Sequence, residues 1–276
     1  MAIKVYKRNH AARRNMSIVK PVAVTDKKPE KSLCTSFNQK AGRANGKISV
    51  RHRCVGAKKL YRIIDFKQNK FDIPGTITAI ERDPNRSGLI ALVIYADGEK
   101  RYVLATEGMR AGMKTITGEN APIDEGNRTK LKNIISGTYV SNVEMKRGKG
   151  GQIIRSAGSG ALVMSVDEQY AQLKMPSGEI RLIDNECYAT IGKVSNFEHN
   201  AVKIGKAGRA WHMGNRPAVR GTVMNPVDHP HGGGEGRQPI GLKYPKTPWG
   251  KPALGVRTRK KNKTSNKYIV KARHKK

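Results

Sequence analysis

The densest group of chemically reactive side chains lies in the loop 224–237, which contains two histidines, an aspartate and a glutamate. Asp228, His229 and His231 have the types expected in a metal or acid–base site, since imidazoles bind metal ions and a carboxylate orients an imidazole. A metal-dependent hydrolase is therefore one hypothesis. No third rigid ligand is evident, and the surrounding segment is basic enough to repel a divalent cation. We favour a docking loop, whose prolines fix the backbone and whose glycines allow close approach to another surface.

Other candidate motifs fit a reactive site poorly. Residues 147–151 read Arg-Gly-Lys-Gly-Gly, which lacks the spacing and the following helix of a phosphate-binding loop. Cys34, Cys54 and Cys187 are odd in number and widely spaced, so we predict free thiols in a reducing compartment. A zinc site from Cys34, His52 and Cys54 would lack a fourth ligand.

Charge divides the chain into three blocks. Residues 1–60 hold 16 Lys and Arg against 2 Asp and Glu, residues 61–200 hold 19 against 17, and residues 201–276 hold 19 against 2. A nearly neutral middle can fold around an ordinary core, whereas ends this basic repel themselves unless a polyanion is present. We therefore predict a folded body with two long cationic arms that bind nucleic acid.

The sequence of the nearly neutral block 61–200 is typical of short strands separated by Gly and Pro turns. Residues 60–66, 75–81, 89–95 and 101–105 predict the strands of an OB-like barrel, with 89–95 buried on both faces. Segments 138–145, 152–156, 161–166, 170–175 and 179–183 predict an SH3-like barrel. Residues 195–204 predict one short helix, with Asn196 as a possible cap.

The predicted fold is an all-β core flanked by long basic extended N- and C-terminal arms. We place an arm at 1–59, the OB-like RNA-binding barrel at 60–125, the SH3-like barrel at 126–200, and a Gly/Pro-rich extension and tail at 201–276. Apolar runs stay well short of the roughly 18 residues of a membrane span, so we expect no membrane partner. The basic start also fits an organelle transit peptide, but an RNA-facing arm explains the same charges over a longer stretch.

Several stretches, taken in order, resemble one family. They are Leu60-Tyr61-Arg62-Ile63-Ile64-Asp65-Phe66, Asp83-Pro84-Asn85-Arg86-Ser87, Tyr95-Ala96-Asp97-Gly98-Glu99, Arg155-Ser156-Ala157-Gly158, Met175-Pro176-Ser177-Gly178-Glu179, Ala189-Thr190-Ile191-Gly192, Gly205-Lys206-Ala207-Gly208-Arg209 and the loop from Met224 to Arg237. Together they are similar to the universal large-subunit ribosomal protein family L2 in its bacterial form.

The resemblance implies the same two barrels and a structural role in translation, without enzymatic activity. It implies primary binding to large-subunit ribosomal RNA, support of subunit assembly, contact with small-subunit ribosomal RNA during subunit association, and neighbouring ribosomal proteins. It places the protein in the ribosome. We expect a bacterial-type cytoplasm, with an organelle as the alternative, because the sequence shows no long presequence. It also implies a functional loop near the peptidyl-transferase RNA, with His229 as a positioning residue, formed by Met224, Asn225, Asp228, His229, Pro230, His231, Gly232, Gly233 and Gly234.

We predict RNA contacts from basic and aromatic positions in the arms and at barrel turns. They are Arg43, Lys47, Arg51, His52, Arg53, Lys58, Lys59, Arg62, Arg86, Arg147, Lys149, Arg155, Lys206, Arg209, Trp211, Arg216, Arg220, Arg237, Arg257, Arg259, Lys260 and Lys261. Trp211, Trp249 and Tyr244 are candidates either for stacking on unpaired bases or for packing against prolines. We expect no intrinsic cofactor, and magnesium bridging of phosphate contacts is possible within the ribosome.

The chain departs from the family pattern in two places. Residues 54–57 read Cys-Val-Gly-Ala where the family usually has three glycines and a histidine. Residues 210–217 read Ala-Trp-His-Met-Gly-Asn-Arg-Pro, with two fewer positive charges than is common there. We expect both departures to affect the arms and not the barrels.

General DNA compaction is a third hypothesis. Two barrels with balanced charges are an elaborate structure for that role, and comparing affinities for structured RNA and duplex DNA at one salt concentration separates the two.

Electrostatic RNA binding predicts a steep salt dependence. If about ten cations contact phosphates, the logarithm of the association constant falls with the logarithm of salt concentration at a slope of roughly −7 to −9. Filter binding of the chain to ribosomal RNA over a salt series measures this slope. A slope near zero would contradict the reading of the arms as phosphate-binding segments.

Overall fold

The structure, a computed structural model, describes residues 2–20, 24–37 and 42–273. Two compact units divide the chain. The barrel unit comprises Met1–Asn38, Lys58–Lys206 and Ser265–Lys276, and the arm unit comprises Gln39–Ala57 and Ala207–Thr264. The parts of the predicted arms at 21–23, 38–41 and 274–276 lie outside the described residues.

Short strands make up most of the regular structure. In chain order they are β1 (Ala2–Val5), β2 (Ser17–Lys20), β3 (Cys34–Ser36), β4 (Arg43–Ala44), β5 (Lys47–Ile48), β6 (Leu60–Arg62), β7 (Gly75–Arg82), β8 (Leu89–Tyr95), β9 (Lys100–Leu104), β10 (Lys114–Thr115), β11 (Arg128–Lys130), β12 (Tyr139–Ser141), β13 (Val143–Glu144), β14 (Gly151–Ile153), β15 (Ala161–Val166), β16 (Tyr170–Lys174), β17 (Ile180–Asp184), β18 (Tyr188–Ile191) and β19 (Ile269–Lys271).

Helical structure is brief. It consists, in the described residues, of the α-helix α1 (Ala207–His212) and 3-10 helices at Ala11–Arg13, Lys31–Leu33, Leu131–Asn133, Phe197–Ala201, Gly221–Val223 and Thr264–Tyr268. No helix within the described ranges has the length and apolar character needed to cross a bilayer.

The helix predicted at 195–204 is a single 3-10 turn, and the predicted cap is wrong. Asn196 has a left-handed backbone with φ of 63° and makes no capping bond. Its side-chain amide instead donates to the Ser87 carbonyl oxygen at 2.6 Å. Asparagine tolerates this backbone region better than most residues, so it serves as a bend here.

The first barrel is built around strand β8. The antiparallel sheet has the order β10-β7-β8-β9. One face of β8 sends Ala91 and Val93 into a cluster with Ile77 and Met109. The other face sends Ile90 and Leu92 into a separate cluster with Tyr102, among others. The prediction that this strand is buried on both faces is confirmed.

The second barrel follows in an antiparallel sheet of order β11-β18-β12-β15-β16-β17-β19. Its core includes Val140, Val163, Leu173 and Ile191. The alternation of buried and outward positions along β16 is the period-two pattern expected of a half-buried strand. The predicted all-β fold, an OB-like barrel followed by an SH3-like barrel, is confirmed.

Four strands of the barrel unit, β1, β2, β3 and β19, lie in segments that we expected in the extended arms. Strand β3 pairs antiparallel with β6, and β19 pairs antiparallel with β17. The Tyr268 ring, just before β19, lies 6.1 Å from the Tyr170 ring between centroids. Because β17 would otherwise end the sheet with unpaired backbone groups, a short strand from the tail satisfies them. The division of the sequence into an arm (1–59), two barrels (60–125 and 126–200) and a tail (201–276) remains a prediction.

A buried ion pair lies inside the second barrel. The Arg128 side chain is fully buried, and the Glu144 side chain is 2 % exposed. The Arg128 guanidinium donates to Glu144 Oε1 at 3.3 Å, to the Asn142 carbonyl oxygen at 2.8 Å and to Thr190 Oγ1 at 3.3 Å. Burial lowers the pKa of Arg128, and the Glu144 carboxylate opposes that shift.

The same carboxylate organises the loop that follows it. Glu144 accepts the backbone N–H groups of Gly148 at 3.3 Å, Gly150 at 2.9 Å and Tyr188 at 3.2 Å. A buried carboxylate with these donors and a guanidinium has its lone pairs occupied, which is the condition for keeping a charge inside a protein. Glu144 therefore joins the barrel core to the loop 147–151.

Glu144→Ala should strongly destabilise the barrel unit. It leaves the Arg128 guanidinium buried without its counter-charge, which costs about 3–5 kcal/mol in free energy of unfolding. Urea denaturation followed by circular dichroism measures the loss. The ion pair of Arg147 with Asp184 provides the control, because Arg147 is exposed and Arg147→Ala should cost no more than about 1 kcal/mol. Equal losses in the two variants would show that the buried pair has no special role.

Candidate nucleic-acid interface

A column of alternating aromatic rings and guanidinium groups lies on the barrel unit. The rings of Phe37 and Tyr61 stack with centroids 5.8 Å apart and 25° between planes. The Arg86 guanidinium carbon lies 5.0 Å from the Tyr61 centroid and 5.6 Å from the Phe66 centroid. The Arg155 guanidinium carbon lies 4.5 Å from Phe66 on the same column. Two predicted RNA-binding arginines are thereby brought together.

The turn 83–86 fixes Arg86 within the column. The buried Asp83 carboxylate pairs with the Arg86 guanidinium and accepts the Asn85 backbone N–H at 2.8 Å. Arg86 also donates to the Tyr61 hydroxyl at 2.9 Å. These bonds occupy much of the donor edge of Arg86. The two ends of the column, Phe37 and Arg155, are exposed, and Arg155 is the cation of the column that is open to a ligand.

The loop 147–151 contributes to the same face. The N–H of Gly151 donates to the Phe66 carbonyl oxygen at 2.8 Å, and a Cβ on Gly150 would lie 2.9 Å from that oxygen. Only glycine fits this close backbone approach. Lys149 is exposed on the loop, whereas Arg147 is bound to Asp184 through two 2.9 Å bonds that raise the pKa of the guanidinium.

Arg62 has a structural environment that the sequence did not predict. It is half-buried, and its charge faces the buried Glu81 carboxylate. Burial raises the pKa of Glu81, while the hydrogen bond from the Tyr102 hydroxyl and the charge of Arg62 oppose that shift. Part of the charge of Arg62 therefore acts within the protein.

In the arm unit, the two predicted arms pair with each other. The Cys54 N–H donates to the Gly214 carbonyl oxygen at 3.0 Å, and the Ala57 N–H donates to the His212 carbonyl oxygen at 2.9 Å. Gly56 has φ of +67°, and a Cβ there would lie 2.6 Å from that His212 oxygen. The two departures from the family pattern therefore contact each other, and the close backbone approach occurs within the chain.

The histidine loop, residues 224–237, is a small closed structure. The His229 imidazole is buried, and a Cβ on Gly221 would collide with its ring. Nδ1 of His229 accepts the His231 backbone N–H at 3.0 Å, and Nε2 of His231 accepts the Lys246 backbone N–H at 2.8 Å. A Cβ on Gly232 would collide with the Asn225 carbonyl oxygen. The prediction that these glycines approach another surface therefore needs correction at Gly232, which packs against its own loop.

In this geometry both histidines hold backbone segments in place. Each imidazole uses one nitrogen to accept a backbone N–H, and the exposed Asp228 carboxylate makes no described hydrogen bond to either ring. In the part of the chain that the structure describes, no three His, Cys, Asp or Glu side chains cluster as metal ligands do. Burial, with the nearby charges of His231 and Arg51, lowers the pKa of His229 and favours the neutral acceptor form.

The remaining predicted contacts are mostly accessible. Those that are exposed are Arg43, Lys47, Arg51, His52, Arg53, Lys58, Arg147, Lys149, Arg155, Lys206, Trp211, Arg220, Arg237, Arg257, Arg259, Lys260 and Lys261, while Lys59, Arg62, Arg86, Arg209 and Arg216 are half-buried. Whether each of them touches RNA stays a prediction.

The sequence analysis missed the aromatic members of the column. Tyr61 and Phe66 were assigned to a strand and Phe37 to an arm, with no indication that their rings share a surface. The only signal was that Tyr61 and Phe66 flank an apolar segment in a chain with few aromatic residues. Which arginines face those rings depends on contacts that are distant in sequence.

Two family models match the chain. Residues 30–117 match the RNA binding N-terminal domain of Ribosomal Proteins L2. Residues 124–250 match the C-terminal domain of Ribosomal Proteins L2. The first match contains Arg86 and most of the column, and the second contains Arg155, Glu144 and the histidine loop.

The His229 contact predicts a loop that loosens in mild acid. Because the pKa of His229 is lowered on folding, the opened loop binds a proton first, and the stabilisation present above about pH 6.5 is lost as pH falls through the folded pKa. Hydrogen exchange, corrected for intrinsic rates, should rise in peptides spanning 224–250 between about pH 7.5 and 5.5.

Two variants separate titration from packing. His229→Asn keeps a neutral acceptor near the Nδ1 position and should weaken this pH dependence, whereas His229→Ala should raise exchange at both pH values. Barrel peptides serve as the internal reference. An alanine variant with unchanged loop exchange would contradict the positioning role.

Proposed function

Because the chain belongs to the ribosomal protein L2 family, a structural and rRNA-binding component of the large subunit, we propose that the column on the barrel unit is its primary contact with that RNA. The observation that carries this proposal is the stack of Arg86, Phe66 and Arg155, with Arg155 exposed at its end. A guanidinium already held against a ring is oriented for phosphate or for the face of an unpaired base.

The barrel unit and the arm unit contribute differently to RNA binding. The barrel unit supplies oriented groups at its column and at Lys149, while the arm unit supplies charge. Residues 42–57 and 207–264 hold 16 Lys and Arg against 2 Asp and Glu. Such a surface neutralises the phosphates of several RNA strands, which lowers their mutual repulsion where helices converge. Supporting assembly of the subunit is the role that this arrangement favours.

We extend the proposal to the histidine loop. Its closed structure, with His229 as a buried support, suits a rigid wall beside RNA near the peptidyl-transferase region. Peptide-bond chemistry is then a property of the RNA, and this chain acts without enzymatic activity. Neighbouring ribosomal proteins belong to its environment in the ribosome.

Three finer features complete the proposal. Cations of the arms reach small-subunit ribosomal RNA during subunit association. Magnesium ions bridge phosphates to one another beside the protein rather than occupying a protein site. The ribosome in question is of the bacterial cytoplasmic type, which the basic N-terminal segment supports by its resemblance to an RNA-facing arm.

The proposal is tested by binding the full chain to protein-free large-subunit ribosomal RNA. Arg155→Lys keeps the positive charge but loses the planar group on Phe66, so the dissociation constant should rise about three- to tenfold, as expected for a cation–π contact. Arg110→Lys, an exposed arginine of the barrel unit outside the column, is the matched control and should bind as the unaltered chain does. Equal affinities for the two variants would remove the column from the interface.

Sedimentation of a cell extract tests the cellular role. The chain should travel with the large subunit at low salt and remain associated until high salt disrupts the subunit. A chain that sediments free of ribosomal particles at low salt would refute the assignment.

A further inference from the structure

We propose that two arginine–tryptophan pairs of the arm unit, Arg51 with Trp249 and Arg216 with Trp211, form a binding site for unpaired bases of RNA. This inference rests on the proposed RNA-binding function and adds a second site of different chemistry from the barrel column. Its ligand class is single-stranded nucleotides rather than the backbone of a duplex.

The geometry of the two pairs is alike. The Arg51 guanidinium carbon lies 6.0 Å from the Trp249 ring centroid, and that of Arg216 lies 5.8 Å from the Trp211 centroid. Trp249 is 80 % exposed and Trp211 is 46 % exposed. Indole rings normally bury most of their apolar surface, so rings this exposed in an ordered segment indicate that a ligand covers them.

A shared backbone framework joins the pairs. Arg216 donates its N–H to the His52 carbonyl oxygen at 3.1 Å, and Arg53 forms an antiparallel bridge with Asn215. Arg51 is next to His52 in sequence, so both guanidinium groups arise from two segments that hydrogen-bond to each other. The two stacks therefore arise from one hydrogen-bonded backbone framework within the arm unit.

Trp249 is presented by an ordered turn. The Gly250 N–H donates to the Thr247 carbonyl oxygen at 2.9 Å, and the Thr247 N–H donates to the Lys251 carbonyl oxygen at 2.7 Å. Gly250 has φ of +77°, which a residue with a side chain rarely adopts. Lys246, at the start of this turn, is the residue held by His231. Ordering the ring before binding reduces the entropy lost when a base stacks on it.

Charge and shape together select the ligand. The surrounding residues 42–57 and 207–264 are strongly basic, so a polyanion is attracted. An acidic peptide supplies negative charge but no flat ring, and a duplex turns its base faces inward. Unpaired nucleotides supply both phosphate and a π-face, which is the combination used in single-strand recognition.

The chain contains only two tryptophans, so indole fluorescence reports the site directly. Trp211→Phe leaves Trp249 as the reporter, and Trp249→Phe leaves Trp211. Each full-length variant is titrated with an oligoadenylate of about 12 nucleotides, within the range of known single-strand sites, at one fixed salt concentration. An RNA duplex and polyglutamate of matched charge are the comparison ligands. Oligoadenylate should quench both reporters, and the other two should leave most of the signal.

Leucine and lysine variants test the energetic contribution. Trp249→Leu and Trp211→Leu should each bind oligoadenylate about tenfold more weakly, because base–aromatic stacking is worth ~1–3 kcal/mol per base. Arg51→Lys should also bind more weakly, whereas Arg110→Lys, an exposed arginine that is not among the predicted RNA contacts, should not. Circular dichroism of each variant checks that the fold is retained.

Two outcomes would overturn the proposal. One is quenching by the duplex or by polyglutamate equal to that by oligoadenylate. The other is unchanged oligoadenylate affinity in both leucine variants. Either result leaves the Arg155 test standing, so failure of this second site is distinguishable from failure of the proposed function.

Discussion

The side chain of Glu144 is one of the few buried carboxylates of this chain, and several parts of the structure contact it. Its carboxylate balances Arg128 inside the second barrel and receives two amides of the loop 147–151. That loop in turn hydrogen-bonds to the backbone carbonyl of Phe66, the residue on whose ring Arg155 lies. An interaction in the core of one barrel is thereby connected by three short steps to a guanidinium on the surface. Because an isolated buried charge is costly, the loop has little freedom to move away.

Cations elsewhere in the molecule are held by carboxylates, by aromatic rings or by both. Arg86 has Asp83 and two rings, Arg147 has Asp184, and Arg51 has an indole. A chain with 54 Lys and Arg against 21 Asp and Glu cannot pair all of its positive groups internally. Aromatic faces orient some of them without neutralising their charge. The result is a set of cations that are positioned and still able to attract phosphate.

The sequence predicted the barrels better than the arms, for a physical reason. Strand β8 is recognisable because seven consecutive apolar residues fit a strand buried on both faces, and the structure places it at 89–95. Strands such as β10 and β19 have two or three residues and little periodicity, so only a neighbouring strand makes them visible. Strand β11 lies just after the predicted boundary between the two barrels at 125/126, and its Arg128 is buried with its ion-pair partner. A charged residue in the core cannot be predicted without its partner.

The candidate site was likewise predicted only in part from the sequence. Arg86 and Arg155 were predicted as RNA contacts from charge and from resemblance, yet their common support on Phe66 was not, since it depends on contacts between the barrels. The histidine loop was interpreted as a docking loop made of turn residues, and the structure adds that both of its imidazoles accept backbone N–H groups. That His231 supports the turn carrying Trp249 follows only from the hydrogen bond to Lys246.

The pairing of distant segments also sets an order on biosynthesis. The arm unit joins residues 42–57 to residues 207–264, and the second sheet receives its last strand from Ile269–Lys271. During translation, residues 42–57 therefore remain unpaired and positively charged while both barrels emerge from the ribosome. The edge of β17 likewise stays open until residues 269–271 have left the exit tunnel. Cotranslational folding of this chain therefore proceeds from the middle of the sequence outward. A nascent chain released early would expose the unpaired edge of β17 together with a strongly basic segment.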